Sequence, residues 1–182
     1  HYGIKTGFNK AFVIDAETKD RLIKENSKSK ELIKPFLVGR DIKRYQEPKG
    51  DKYLIFTRRG IDIKKYPSIE KYLKNYKDQL MPKPKGWKGE NWQGRKAGSY
   101  KWYEIQDAVD YYNEFEKPKI IYAEIAIFGK FTLDKNDFYA ETTCYILGSE
   151  SLYLLGLLNS KLCTFIISKS SSEIRGGFFR WK

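Results

Sequence analysis

Catalysis needs a nucleophile, a proton carrier or a metal cage, and this sequence offers few of those parts. The single histidine is His1, and the two cysteines, Cys144 and Cys163, fall in no zinc-ligand spacing. A Ser–His–acid relay therefore lacks a usable base. No Gly-x-x-x-x-Gly-Lys-Ser/Thr loop is present and no Gly-x-Gly-x-x-Gly opens a helix; Gly3, Gly7 and Gly39 are too scattered to cradle a nucleotide. Asp15-Ala16-Glu17-Thr18-Lys19 contains the Glu-x-Lys of metal-dependent nucleases, but it sits at an expected helix start, where acids complement the dipole. Glu104, Asp107, Glu124 and Glu141 are the other carboxylates weighed for a magnesium site, and their spacing does not favour one. No catalytic residue and no metal ligand are assigned to this chain.

The residues that do stand out are basic and aromatic. Pro82–Tyr103 holds Lys83, Lys85, Lys88, Arg95, Lys96 and Lys101 against the single acid Glu90, with three of the four tryptophans, Trp87, Trp92 and Trp102. Lysine and arginine neutralise phosphates, arginine pairs with guanine, Asn91 and Gln93 have the amides that pair with adenine, and indoles stack on bases. The other reading is a loop pinned to the core by its tryptophans. Ser170–Lys182 repeats the chemistry in Arg175-Gly176-Gly177-Phe178-Phe179-Arg180-Trp181, with a loop leading into a core strand as its alternative.

These groups need a scaffold. Tyr2–Asp15 reads as two short strands around a turn, with Ala11–Ile14 the clearest strand piece, and Ala16–Asn26 reads as a helix with Leu22 and Ile23 inward. Leu32–Val38 is apolar and interrupted by Pro35, and Tyr53–Arg58 is a strand. Pro67 opens a helix in which Ile69, Tyr72, Leu73, Tyr76 and Leu80 recur at helical spacing. Asp107–Phe115 is expected as a short helix, Lys119–Ile127 as a buried strand, and Phe138–Leu147 as a second strand that forms a hairpin with it. Glu150 to about Ser168 reads as one apolar helix capped by Ser149. The pattern is α+β: mixed or antiparallel strands, several helices and one long basic aromatic loop, in a single domain over residues 1–182.

The net charge is +12 over 182 residues, which favours a polyanionic partner, nucleic acid first. No apolar run approaches a membrane span, so a cytoplasmic protein with two reduced thiols is expected. The chain opens without Met and stops within an aromatic segment, so it is expected to be an internal piece of a longer product.

Several stretches together resemble the TaqI-like C-terminal specificity domain of type IIG restriction–modification enzymes and related adenine methyltransferases. They are Gly3–Asp15, Ile33–Tyr45 with its Gly39-Arg40-Asp41-Ile42-Lys43-Arg44-Tyr45, Trp102-Tyr103-Glu104, Phe115–Tyr122, Leu154–Leu162 and Gly176–Trp181. The resemblance implies a target-recognition domain for double-stranded DNA. It would work beside a methyltransferase domain that takes S-adenosylmethionine and flips the target adenine, with magnesium required by any fused nuclease. The Asn-Pro-Pro-aromatic motif of that chemistry is absent, so only target reading carries over and no cofactor is expected here. Expected DNA contacts are Lys5, Thr6, Asn9, Arg58, Arg59, Lys85, Trp87, Lys88, Asn91, Trp92, Gln93, Arg95, Lys96, Lys101, Arg175 and Arg180. Arg40 and Lys43 either touch phosphate or pair with Asp41. The rival readings are a stand-alone metal-dependent nuclease and an RNA-binding or protein-interaction module.

Overall fold

The structure, a computed structural model, describes residues 1–174 and 176–181. Their contacts cluster as two units. The first comprises His1–Ile4, Phe36–Gly50 and Asp110–Lys182; the second comprises Lys5–Pro35 and Asp51–Val109. The protein is α+β, with antiparallel and mixed sheets.

In the second unit, a one-turn helix α1 (Asn9–Phe12) leads into strand β1 (Val13–Ile14). The strand expected over Ala11–Ile14 is thus helical in its first half. The Ala11 amide donates to Phe8 O at 3.1 Å, a local bond that competes with sheet pairing. Helix α2 (Ala16–Glu25) starts where the sequence places it, because Asp15 Oδ1 accepts the Thr18 amide at 2.8 Å. That bond holds the Asp15 carboxyl below its ordinary range. The acid-rich start is therefore a cap: Lys19 pairs with Asp20 and lies over the Tyr53 ring, and Glu17 is exposed.

Leu22 is buried, and its carbonyl accepts from Ser68 Oγ, which in turn bonds Ser29 Oγ. Strand β3 (Lys52–Ile55) pairs antiparallel with β1, Val13 opposite Leu54, and runs beside the start of β2 (Ile33–Leu37). The helix opened by Pro67 breaks at Asn75, giving α3 (Pro67–Lys74) and α4 (Lys77–Leu80), and it buries Ile69, Leu73 and Leu80.

In the first unit, β4 (Lys119–Ala123) is the centre of a three-stranded antiparallel sheet. Every one of its residues is buried, which explains the unbroken apolar run Ile120-Ile121-Tyr122-Ala123. Lys119 lies in that interior because Asp134 Oδ2 accepts its Nζ at 2.6 Å, and the remaining Asp134 lone pairs take the Asn136 and Phe138 amides. The chain leaves β4 through a break at Glu124 into β5 (Ile125–Ala126). The hairpin partner of β4 is β6 (Phe131–Asp134), a strand the sequence reading missed, while Phe138–Leu147 divides. Its first part, β7 (Tyr139–Ala140), pairs parallel with Phe36 and Leu37, and its second, β8 (Cys144–Leu147), borders β4 on the other side. Asp107–Phe115 is mostly turn, with a 3-10 helix only over Tyr112–Glu116.

The long apolar helix is two helices, α5 (Leu152–Leu158) and α6 (Lys161–Ser170), bent by 55°. Asn159 causes the break. Its Oδ1 accepts the Phe131 amide at 3.0 Å, and its Nδ2 donates to Phe131 O at 2.9 Å. Ser151, not Ser149, caps α5, and Ser160 caps α6. Among the described residues no single helix is long and apolar enough to cross a membrane. Ile120, Tyr122, Ala126, Phe131, Leu155 and Trp181 form one core cluster of this unit. Strands β9 (Glu173–Ile174) and β10 (Phe178–Arg180) close it, with β10 between β9 and β5.

Candidate nucleic-acid interface

The Pro82–Tyr103 loop has almost no regular structure, so something other than a ladder must hold it. Arg95 does this. It is 4% exposed, and all five of its N–H groups donate to main-chain carbonyls. Nε donates to Leu80 O at 2.8 Å, Nη1 to Thr6 O and Glu104 O, and Nη2 to Lys101 O and Trp102 O. Tyr100 covers the guanidinium at 4.4 Å, and burial pulls its pKa down to about 10, so it stays charged at neutral pH. Glu104, also buried, accepts the Gly60 and Lys101 amides.

This arrangement revises the sequence assignments. Arg95 has no donor left for a base or phosphate and is the loop's internal anchor. Thr6 is 1% exposed; its hydroxyl donates to Asn9 Oδ1 and accepts the Phe8 amide, so it shapes the turn. Arg59 is half-buried and ties Ser99 Oγ and Gln106 O together. Trp92 is half-buried, with Nε1 shared between Met81 O and Arg95 O. Its ring meets Trp87 edge-on at 5.0 Å.

The other candidates in this unit face outward. Lys85, Lys88, Asn91, Gln93, Lys96 and Lys101 are exposed, as are Lys5, Asn9 and Arg58. Trp87 is 42% exposed. It walls an open cavity of about 340 Å³ with Asn91, Trp92, Gln93, Asp78 and Met81. Amide edges and an indole thus share one concave surface, with the acid Asp78 in its wall.

In the first unit, Arg180 is exposed and paired with Glu124 at 3.4 Å, while Trp181 belongs to the core and donates to Ala126 O. Arg175 lies outside the described residues. Arg40 approaches Asp41 only at 4.0 Å and stays 82% exposed. Lys43 is exposed and has no acidic partner among the described residues. No group of three His, Cys, Asp or Glu that could hold a metal ion occurs among the described residues.

The TaqI-like C-terminal specificity domain profile matches residues 34–182. This chain belongs to that family. Among solved structures, the fold is similar to part of the type IIL restriction–modification enzyme MmeI, solved in complex with DNA, with a TM-score of 0.67 at 17% identity. That likeness covers 100% of this chain and 23% of MmeI. No curated protein matches the chain in sequence.

Proposed function

We propose that this specificity domain binds duplex DNA and reads a target sequence for a restriction–modification enzyme. The observation that carries the proposal is the family membership across residues 34–182. A net charge of +12, the exposed lysines of the Pro82–Tyr103 loop and the cavity that Trp87 shares with Asn91 and Gln93 support it. Lys85, Lys88, Lys96 and Lys101 hold phosphates, with Lys5, Asn9, Arg58 and Arg180 as further contacts. Asn91 and Gln93 offer their amides to adenine edges, and Trp87 packs on the exposed base or sugar. Methylation belongs to a separate domain of the parent protein that binds S-adenosylmethionine and flips the target adenine. Cleavage, where the parent performs it, uses magnesium held elsewhere.

Selection from a randomised duplex library tests this reading. Bound duplexes should converge on one sequence, and RNA should compete poorly. Asn91→Ala with Gln93→Ala should relax the consensus at particular positions, with a loss of about 1–3 kcal/mol there. Lys85→Gln with Lys88→Gln should weaken all duplexes alike. Absence of any consensus, or equal competition by RNA, would overturn the proposal.

A further inference from the structure

In the first unit, residues 39–50 form a strap beside β6, and this strap holds an outlier. Tyr45 is an exposed tyrosine with φ of 58°, in the left-handed region that bulky side chains avoid. Such strain persists only when the surroundings enforce it. Here they do. The Tyr45 amide donates to Phe131 O, Thr132 Oγ1 donates to Gln46 O, and Asn136 Nδ2 donates to Glu47 Oε1. The Arg44 guanidinium donates to Asn159 O and lies 5.1 Å from the Tyr45 ring. The backbone on both sides is pinned, and the ring, 57% exposed, is held out into solvent.

Tyr45 lines one open cavity with Gln46 and Glu47, and those two residues also wall a second cavity of about 570 Å³ with Arg40, Asp41, Lys43 and Lys49. Its two acids are occupied: Asp41 Oδ2 accepts the Val38 amide, and Glu47 accepts from Asn136. Lys43 and Lys49 are exposed without acidic partners among the described residues. A fixed aromatic beside uncommitted cations suits a polyanion that also offers flat faces, which nucleic acid does.

We propose that the 39–50 strap is a second duplex-DNA contact, in which Lys43, Lys49 and Arg40 grip backbone phosphates and Tyr45 packs against the adjoining sugar or base. The proposal rests on the DNA-binding reading above. It adds a sequence-independent clamp that is separate from the Trp87 loop.

The test measures duplex affinity by fluorescence anisotropy across a salt series. The whole 182-residue chain is used, with thermal melts to confirm folding. Lys43→Gln with Lys49→Gln should lower the slope of log affinity against log salt by about 2, equally on all duplex sequences. Lys24→Gln with Lys28→Gln, exposed lysines on α2 and the turn after it, removes the same charge and should lower the slope by less than half as much. Tyr45→Asn keeps a residue that tolerates the left-handed region and should weaken binding at least threefold with the slope unchanged. If the wild type binds duplex and the strap lysine pair behaves like the α2 control, or Tyr45→Asn binds like wild type, the clamp is wrong while the DNA reading stands. If the wild type binds no duplex at low salt, both fall.

Discussion

The Pro82–Tyr103 loop and the 39–50 strap are both basic, aromatic surface segments, yet they are held in opposite ways. The loop closes around a buried cation: Arg95 binds five carbonyls from inside and leaves the outer lysines and Trp87 in solvent. The strap has no such centre. It is tied down along its length to Phe131, Thr132 and Asn136, and the accumulated constraint appears as the left-handed Tyr45. One segment is fixed by a single satisfied hub, the other by distributed bonds that force one residue into strain. The first should fail all at once, the second by degrees.

The largest test of that contrast is Arg95→Ala, which takes a donor from five carbonyls, of which Thr6 O and Lys101 O keep a main-chain amide. A loss of about 3–5 kcal/mol in chemical denaturation is expected. Arg95→Lys should recover little of it, because one ammonium cannot span the planar fork. Asn159→Ala comes next, at about 2 kcal/mol, since it orphans the Phe131 amide and removes a donor from Phe131 O, the same carbonyl that anchors Tyr45. Tyr45→Gly should change stability by no more than about 1 kcal/mol and in the stabilising direction, because relief of the left-handed strain exceeds the lost contact with Arg44. A clear destabilisation would show that the strap is not strained. Asp15→Ala, outside both segments, should give the smallest shift, read as melting temperature against pH. The native carboxyl titrates below its ordinary value, so its contribution is full above the usual carboxylate range. It should vanish as pH falls through the lowered value, and the two melting curves should then coincide.

How much of this was legible in the sequence depended on the range of the interactions. The α2 cap needs only Asp15 and Thr18, so the sequence shows it. The sequence does not show the α5–α6 break, because it depends on Asn159 reaching Phe131 in another element, and an apolar run containing Asn-Ser still looks like one helix. The partner expected within Phe138–Leu147 does pair antiparallel with β4 as β8, but the intervening strand is not legible: Phe131–Asp134 is short, and its strongest signal is Asp134, a buried acid whose role appears only beside Lys119. Arg95 in a lysine-rich loop reads as solvent-facing. Its burial requires carbonyls from Thr6, Leu80, Lys101, Trp102 and Glu104 to converge, and no spacing rule announces that. Trp87, Asn91 and Gln93 stand out by composition alone, and the structure brings them to one open cavity; Lys85 is exposed but does not line it. The strained Tyr45 had only the Gly39–Tyr45 resemblance to mark it.

The Arg95 hub bonds carbonyl oxygens and no side-chain oxygen. None of those carbonyls lies in the outer lobe from Lys83 to Gln93, so the outward side chains Lys85, Lys88, Asn91 and Gln93 can change without touching the anchor, while Gly86, at φ 78°, resists any side chain. Those four side chains are interchangeable parts on a fixed mount. A domain built this way can acquire a new set of outward side chains without a new fold.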